Sequence, residues 1–334
     1  MKKAAERFTV AKKKENMNKT IPLVSIIIPV YNGSNFMREA IDSALNQSYQ
    51  NVEVLVINDG SHDNGATRTI AESYGNRIRY FEKENGGVSS ALNLGIREMQ
   101  GEYFSWLSHD DLYNPEKIER QVAALEKYSD MDLVCLCGSQ HINEVGLPLP
   151  GTTKLPFSPK SITLWEDALK QLLCVGTFNG CAFLLPKKLF AQCGSFNEEL
   201  RYCQDTLMWI NIFLAKYNLV YVDYIGVQNR IHPKQVTHTQ RGLYIKDASY
   251  IAANKLDNFI CISSKHQNYL YMQARRMAIR GLDECVALYI KRGKEEKLLS
   301  ISSVAILKFD LLYGKIRPLL KQIYYRLIRG IAIP

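Results

Sequence analysis

Apolar and polar residues alternate along the first 110 positions in short blocks that fit strands and amphipathic helices. The β-branched run at 24–30 ends in Tyr-Asn-Gly and predicts a buried strand that enters a turn. From Ser34 to Leu45 the apolar residues follow helical spacing, which predicts a helix with Ser34 as its N-cap. The next elements continue the alternation, with strands predicted at 52–57, 77–82 and 103–107 and helices at 65–74 and 88–99. The pattern predicts an α/β fold with a doubly wound, mainly parallel sheet.

Beyond residue 130 the pattern is more broken and ends in a long helical stretch. The predicted elements are a strand at 132–136, a loop rich in Pro and Gly at 146–159, helices near 165–173 and 186–192, and mostly helix from about Tyr244. We therefore expect three parts. A basic, disordered extension at 1–20 is followed by an α/β domain at 21–240, with halves at about 21–130 and 131–240. A basic helical region at 241–334 ends the chain. Met17 lies just before the first predicted strand, so either Met1 or Met17 is expected to be the start.

Composition is that of a globular protein. The 334 residues are 46% hydrophobic and 22% charged, which is enough apolar material for a sizeable core.

The eight cysteines form no CxxC pair and no zinc-finger spacing, so reduced thiols are the simplest interpretation. No apolar run reaches about eighteen residues, and residues 1–20 contain no signal-peptide core, so we expect a cytoplasmic protein.

Positive charge is concentrated towards the end of the chain. The net charge is +9, and from Lys297 onward seven Lys or Arg residues stand against a single acid, Asp310. Apolar residues interleave with these cations at helical spacing, which predicts a helix lying on an anionic membrane surface. The alternative is a helix that packs its apolar stripe on the rest of the protein. No nucleic-acid recognition motif accompanies the charge, so we expect a peripheral position at the inner face of the plasma membrane and no nucleic-acid partner.

Polar turns follow three of the predicted parallel strands. They lie at 31–33 (Tyr-Asn-Gly), 58–60 (Asn-Asp-Gly) and 109–111 (His-Asp-Asp). In a doubly wound sheet, ligands bind beyond the carboxyl ends of the strands. The three turns are therefore expected to meet in one crevice, and the chemistry of the protein is expected there.

Four motifs at and near these turns are similar to those of a known family. They are SIIIPVYNG at 25–33, VLVINDGS at 54–61, NGGVSSALNLG at 85–95 and WLSHDDL at 106–112. In this order and spacing they resemble the donor-site motifs of family 2 glycosyltransferases, which are inverting enzymes with the GT-A fold, of the type that builds bacterial surface polysaccharides. The resemblance extends over about residues 21–236. It implies a donor half at about 21–130, an acceptor half at 131–240 and a helical appendage behind them.

The resemblance implies a binding site for a nucleotide diphosphate sugar. Asp59 is implied to contact the nucleoside, with an Asx turn at Gly60 as the structural alternative. Pro29 and Tyr31 would form the wall against which the base packs, although Tyr31 alone fits an aromatic residue at the rim equally well. The tripeptide Asn85-Gly86-Gly87 would let the backbone approach the donor at a helix N-terminus, or would form a simple turn.

The resemblance also implies a divalent cation, Mn²⁺ or Mg²⁺, across the diphosphate. Asp110 is implied as its main ligand, with Asp111 next and the imidazole of His232 as a third. The structural alternatives are a helix cap for one of the acids and a surface position for the histidine. Ser108 stands where the family usually has another acid, so Ser108 is expected to bind the ribose or a water on the metal.

A further segment resembles the acceptor side of the family. GSFNEEL at 194–200 and QDTLMW at 204–209 are similar to the segment in which an Asp that opens a helix is the general base. Asp205 is implied to take the acceptor's hydroxyl proton in a single displacement that inverts the anomeric carbon. The alternative is that Asp205 only caps the helix.

The function implied is transfer of a sugar, from UDP or a similar nucleotide, to a glycan or to an undecaprenyl-linked or other lipid-linked acceptor. The product would belong to a capsule, an O-antigen, lipopolysaccharide or a cell-wall glycan. A nucleotidyltransferase would share the sheet, but it normally carries a Gly-rich, Arg- or Lys-bearing first turn that 31–33 lacks. A non-catalytic scaffold for glycan assembly is the other alternative, and the retained Asp59, Asp110, Asp111 and Asp205 argue against it.

Overall fold

One sheet of ten strands runs through the part of the chain that the structure, a computed structural model, describes. That part is residues 21–329 without 154, 156, 160, 176–177, 234–240 and 265–267. The strands are β1 (Val24–Val30), β2 (Val52–Asp59), β3 (Arg79–Lys83), β4 (Tyr103–Trp106), β5 (Leu112–Tyr113), β6 (Leu133–Ile142), β7 (Pro148–Thr153), β8 (Ile162–Thr163), β9 (Phe183–Pro186) and β10 (Asn218–Arg230). Their order across the sheet is β3-β2-β1-β4-β9-β6-β10-β5, with β7 paired to β6 and β8 to β10.

Helices connect these strands and then make up the rest of the chain. They are α1 (Met37–Leu45), α2 (Ala66–Glu72), α3 (Val88–Glu98), α4 (Lys117–Glu126), α5 (Trp165–Val175), α6 (Leu189–Cys193), α7 (Gln204–Leu214), α8 (Arg241–Ile262), α9 (Tyr269–Ile279), α10 (Asp283–Glu295) and α11 (Ile301–Arg329). The predicted α/β architecture with a C-terminal helical appendage is confirmed by this arrangement.

The first four strands in sheet order are parallel, as the sequence pattern predicts. β1 lies between β2 and β4, with Val24 opposite both Val52 and Tyr103, and β3 pairs in parallel with β2. All seven residues of β1 are buried, as expected for a parallel strand covered on both faces. The carboxyl ends of these strands lie at one edge of the sheet, so the turns that follow them are brought together there.

Beyond β4 the sheet is mixed. β9 is antiparallel to both β4 and β6, while β10 runs parallel to β6 with two shifts of register. The short β5 pairs antiparallel with β10, where Tyr113 lies opposite Val227. This pairing places the residues just before β5, which include Asp110 and Asp111, beside the end of β10.

The helices from α8 onward pack on one another and on α5. Tyr269 in α9 donates from Oη to the carbonyl of Glu166 in α5 (3.2 Å), and α11 lies along α9. Gly314 permits that approach, since a Cβ there would lie 2.4 Å from the carbonyl oxygen of Ala278. Within the described ranges, none of the helices has the length and apolar character needed to cross a bilayer.

β7 and the start of the first helix differ from the sequence prediction. β7 occupies part of the predicted loop at 146–159 and pairs antiparallel with β6; its Pro148 is tolerated because it is the first residue of the strand. The first helix begins at Met37, and its N-cap is Phe36 rather than Ser34. The Gly33 carbonyl accepts the first amide bonds of this turn, so the chain turns into the helix later than the apolar pattern suggests.

α4 was not predicted because its buried face carries a charged residue. Lys117 is fully buried; its ammonium group donates to Ser105 Oγ (3.0 Å) and lies 4.0 Å from the centroid of the Tyr113 ring. Burial lowers the pKa of Lys117 to about 8. A lysine at a core position breaks the apolar periodicity on which recognition of a helix depends.

Candidate active site

The structure brings the three polar turns together at the carboxyl edge of the parallel strands. Asn32 links the first two turns, because its backbone N–H donates to Ser61 Oγ (2.9 Å) and its side-chain oxygen accepts from the His62 N–H (2.7 Å). The third turn covers the first, since a Cβ on Gly33 would lie 2.5 Å from Cδ2 of His109. Burial holds the pKa of His109 below its ordinary value, which favours a neutral imidazole.

Asp59 lies at the end of β2 and organises the neighbouring turn Asn85-Gly86-Gly87, the glycine turn. Its side chain is buried, and Oδ1 accepts from Lys83 Nζ (2.7 Å) and from the Gly86 N–H (2.9 Å). Oδ2 accepts from the Gly87 N–H (2.7 Å). Lys83 was not predicted, and the signal that could have identified it is a cation at the end of the strand that neighbours β2.

The glycine turn leads into α3 and is covered by an arginine from the second half of the chain. Gly87 has φ +86°, which favours glycine, and a Cβ there would lie 1.9 Å from Nη1 of Arg201, so that side chain would have to shift. Arg201 Nη1 donates to the Gly86 carbonyl (2.6 Å). A guanidinium group at a helix N-terminus makes an environment that favours anions. Arg201 was not predicted.

The two residues predicted to pack on a base lie in different environments. Pro29 is buried within β1, opposite Ile57 of β2. Tyr31 is 45% exposed, and its ring meets His62 edge-on with centroids 6.4 Å apart. The position of Tyr31 at the rim is compatible with both roles that the sequence left open.

Asp110 and His232 form a pair at the mouth of the site. His232 Nε2 and Asp110 Oδ2 lie 3.0 Å apart, and both side chains are largely buried. The Phe36 ring packs 5.3 Å from the imidazole, centroid to centroid. A cavity of about 520 Å³ opens beside His232 and is lined by Asn143, Glu144, Val145, Ile231, His232 and Pro233.

Asp111 turns towards the protein interior instead of towards this cavity. Its Oδ1 accepts from the Arg230 N–H (2.9 Å), and its Oδ2 accepts from Asn229 Nδ2 (3.0 Å). Burial, together with the neighbouring charge of Asp110, raises the pKa of Asp111 to about 7. The predicted role of Asp111 as a metal ligand stays a prediction, and its contacts are those of a residue that fixes the end of β10.

The Arg230 side chain ties this loop to two other segments of the chain. Its side chain is fully buried; Nε donates to the Asp110 carbonyl (2.9 Å), Nη1 to the Glu144 carbonyl (2.6 Å) and Nη2 to Glu39 Oε2 (2.7 Å). The guanidinium also lies 4.5 Å from the centroid of the Phe36 ring. Arg230 had no predicted role, because its partners are distant in sequence.

Ser108 lies against a buried thiol. Its N–H and Oγ lie 3.3 Å and 3.4 Å from Cys181 Sγ, and the same sulfur lies 3.6 Å from Asp111 Oδ2. Burial raises the pKa of Cys181 well above its ordinary value, so it stays a neutral thiol. Cys181 thus supports the loop that carries Asp110 and Asp111.

Asp205 lies in the first turn of α7, whose N-cap is Cys203. Its Oδ1 accepts from the Thr206 N–H (2.5 Å), and a carboxylate in the first turn is stabilised by the helix dipole. The helix is fixed by Trp209, which is fully buried and stacks on Phe183 with centroids 4.1 Å apart. Asp205 is therefore held in place without being the N-cap residue itself.

Asp247, from the helical region, holds the chain just before α7. Its side chain is buried, and Oδ2 accepts from three successive backbone N–H groups, those of Arg201 (2.9 Å), Tyr202 (2.6 Å) and Cys203 (2.9 Å). Asp247 thereby fixes both Arg201 at the glycine turn and the N-cap of the helix that carries Asp205. Asp247 was not predicted, because nothing in the local sequence distinguishes it from other acids on a helix.

The Asp110–His232 pair offers two of the ligands that a divalent cation needs. Among the residues that the structure describes, no group of three or more His, Cys, Asp and Glu side chains is arranged to hold a metal ion. The carboxylate suits either Mn²⁺ or Mg²⁺, and the imidazole nitrogen suits Mn²⁺ better than the harder Mg²⁺, when phosphate oxygens and water complete the coordination. The residues present therefore fit a cation that binds together with a diphosphate.

The chain is similar to named glycosyltransferases. Residues 25–182 match the family described as Glycosyl transferase family 2. An uncharacterized glycosyltransferase of Rickettsia typhi is 48% identical over 219 residues, which cover 65% of this chain and 67% of that protein. One of Rickettsia felis is 48% identical over 229 residues, which cover 68% of this chain and 37% of that protein. The chain thus spans little more than a third of the length of this longer relative.

Two further similarities concern a synthase and a solved structure. The chondroitin synthase of Pasteurella multocida is 42% identical over 147 residues, which cover 43% of this chain and 15% of that protein. The crystal structure of residues 1–349 of S. aureus TarS in complex with UDP-GlcNAc matches with a TM-score of 0.59 at 19% identity, covering 91% of this chain and 87% of that one. At that identity the likeness shows the fold alone.

The role of Asp247 can be tested through stability. We expect Asp247→Ala to lower the free energy of unfolding by about 2 to 4 kcal/mol, because three backbone N–H groups lose a charged acceptor. Asp257→Ala is the matched control on the same helix. Asp257 is 84% exposed, and within the described part of the chain its one ion pair is with Arg292. Its expected loss is below about 1 kcal/mol. Equal losses in urea denaturation would contradict the assignment.

Proposed function

We propose that this chain, which belongs to glycosyl transferase family 2, transfers a sugar from a nucleotide diphosphate donor to a glycan or lipid-linked glycan. One observation carries the proposal. The glycine turn held by Asp59, the Asp110–His232 pair and the chain that leads into Asp205 lie together at one edge of the sheet. These groups are what a donor diphosphate, a cation and an acceptor hydroxyl each require. TarS was crystallised with UDP-GlcNAc, which supports UDP as the nucleotide of the donor.

In this proposal the donor lies across the carboxyl edge of β1, β2 and β4. The nucleoside packs near Pro29 and Tyr31 and contacts Asp59, whose carboxylate has acceptor capacity left beside its bonds to Lys83 and the glycine turn. The Asn85-Gly86-Gly87 turn lets the backbone approach the diphosphate, and Arg201 adds a positive charge there. Ser108 contacts the ribose or a water molecule.

Asp110 and His232 are the proposed ligands of Mn²⁺ or Mg²⁺. When bound, the cation neutralises charge that develops on the leaving diphosphate. Asp110 is held by the bond from Arg230 to its carbonyl, and Asp111 by its bonds to the start of the 230–232 segment. We assign Asp110 as the main ligand, with Asp111 positioning Asp110 and His232 relative to each other.

Asp205 is the proposed general base. An inverting transfer is a single displacement in which a carboxylate takes the proton of the acceptor hydroxyl while that oxygen attacks the anomeric carbon and the diphosphate leaves. The dipole of α7 favours the ionised carboxylate that this role requires. The Asp247 contacts place this helix end next to the Arg201 side chain that reaches the glycine turn.

The proposed product is a cell-surface polysaccharide, such as a capsule, O-antigen, lipopolysaccharide or cell-wall glycan. The similarity to a chondroitin synthase supports a polysaccharide product. The acceptor is accordingly proposed to be a growing glycan, free or linked to undecaprenyl or another lipid.

The surface of α11 supports attachment to an anionic membrane. Large apolar side chains along this helix are exposed, namely Ile301, Ile306, Phe309, Leu312, Tyr313, Ile316, Leu319 and Leu320. Lys308, Lys315 and Arg317 interleave with them. An apolar stripe among cations suits the interface of a bilayer that carries anionic lipids.

The general-base assignment is tested by Asp205→Asn. We expect transfer to fall by about 10² to 10⁴ while UDP binding and melting temperature are kept, because the amide preserves shape but cannot take the proton. UDP release is measured on the full chain with a panel of UDP-sugars, with and without glycan acceptors. Asp167→Asn, an exposed acid in the first turn of α5, is the matched control and should stay fully active. A fully active Asp205→Asn, or a product that retains the donor's anomeric configuration, would contradict the proposal.

The membrane assignment is tested by the double variant Phe309→Glu, Leu312→Glu. We expect its binding to phosphatidylserine-containing vesicles to fall at least tenfold, since two exposed apolar anchors are replaced by charges that such a surface repels. The control places the same charges at Val145 and Leu147, which are also exposed but lie on the β6–β7 turn. Vesicle co-sedimentation that is equal for both variants would remove this part of the proposal.

A further inference from the structure

Two arginines of α9 meet next to the chain that leads into α7. Arg276 is only 7% exposed, and Arg280 donates from Nη1 to the Arg276 carbonyl (3.3 Å). The Arg280 guanidinium lies 5.8 Å from the centroid of the Tyr244 ring, and that ring packs edge-on against Tyr202 at 5.6 Å. The cluster therefore joins α8, α9 and the 201–203 segment.

This cluster contains hydrogen-bond donors that lack acceptors. Nε and Nη1 of Arg276 and Oη of Tyr244 are buried and have no hydrogen-bond partner among the described residues, and the same holds for the side-chain amide of Gln273, one turn earlier on α9. A guanidinium group has only donors, and leaving a buried charged donor unpaired is costly. Burial and the charge of Arg280 lower the pKa of Arg276 to about 10, so Arg276 is still protonated at neutral pH.

The cluster lies on the acceptor side of the candidate active site. Asp247 holds the N–H groups of residues 201–203, and Asp205 follows two residues later. The negative charge of Asp205 favours the protonated form of Arg276 and so acts to raise the pKa of Arg276. The groups proposed to hold the donor come instead from the sheet edge, at Asp59, the glycine turn and Asp110.

We propose that Arg276, together with Arg280 and Tyr244, binds an anionic group of the acceptor, a phosphate or a carboxylate, beside Asp205. An oxyanion supplies the acceptors that these buried donors lack, and its charge offsets two adjacent guanidinium groups. The inference rests on the proposed function, since it takes Asp205 as the residue at which the acceptor hydroxyl reacts. The acceptor would then be a glycan that carries a phosphate or a uronate near the reacting hydroxyl.

The test measures anion binding on the full chain while the donor site is occupied by UDP and Mg²⁺. Inorganic phosphate and glucuronate are each titrated, and binding is followed by the rise in melting temperature. We expect wild type to bind at least one of these anions and Arg276→Gln to bind it at least tenfold more weakly. Arg275→Gln is the matched control, because the neighbouring guanidinium pairs with Asp310 (2.8 Å), and it should bind the anion as wild type does.

The choice of anion identifies the acceptor chemistry. Stronger binding of phosphate indicates a phosphorylated or phosphate-linked acceptor, and stronger binding of glucuronate indicates a uronate. If wild type binds neither anion, or if Arg276→Gln binds as tightly as wild type, the proposal is overturned. UDP binding in the same samples separates this failure from that of the proposed function, which fails if wild type does not bind UDP.

Stability without added anion separates ligand binding from a structural role. Because Arg276→Gln removes an unpaired buried charge, its melting temperature is expected to equal or exceed that of wild type. A structural role predicts a lower melting temperature and unchanged anion binding. Should Arg276→Gln fail to fold, Tyr244→Phe and Arg280→Gln replace it, and each must weaken anion binding for the proposal to stand.

Discussion

The guanidinium group of Arg230 is fully buried, and each of its bonds leads to a different segment of the chain. One goes to the carbonyl of Asp110, one to the turn between β6 and β7 at Glu144, and one to Glu39 on α1. A buried guanidinium is costly unless its donors are satisfied, and its planar fork fixes the directions in which the acceptors must lie. The distance between Asp110 and His232 follows from this arrangement, because Arg230 and His232 are two residues apart. The geometry of the Asp110–His232 pair, which we propose to bind the cation, thus depends on the hydrogen bonds of Arg230, a residue to which we assign no ligand contact.

A second constraint joins the two halves of the sheet through the helical region. Asp247 gathers three N–H groups just before α7, and Arg201 in that segment reaches across to the glycine turn of the donor half. The N-terminus of α7 is therefore positioned by a helix that lies outside the sheet. The appendage is part of the candidate active site, and with Arg276 it also contributes the cluster to which we assign the acceptor's anion.

The sequence predicted the parallel half of the sheet well, because its strands are β-branched apolar runs that end in turns of Gly, Asn and Asp. The same pattern indicated the crevice, since parallel strands present their carboxyl ends together. It failed where a polar residue occupies the core, as Lys117 does in α4, and where Pro and Gly lie in a strand, as in β7. Side chains whose partners are distant, such as Arg230 and Asp247, carry no local signal. Asp111 illustrates the same limit, because adjacency to Asp110 gave no indication that its carboxylate turns inward.

We propose that the donor diphosphate and its cation lie between the Asp110–His232 pair and the glycine turn. The most direct measurement is anomalous diffraction at the manganese edge from crystals of the full chain grown with UDP and Mn²⁺. We expect a single strong peak within coordination distance of Asp110 and His232, with the diphosphate oxygens completing the coordination next to Gly86 and Gly87. A manganese peak elsewhere, or UDP bound with its diphosphate away from these residues, would contradict this placement of the donor and its cation.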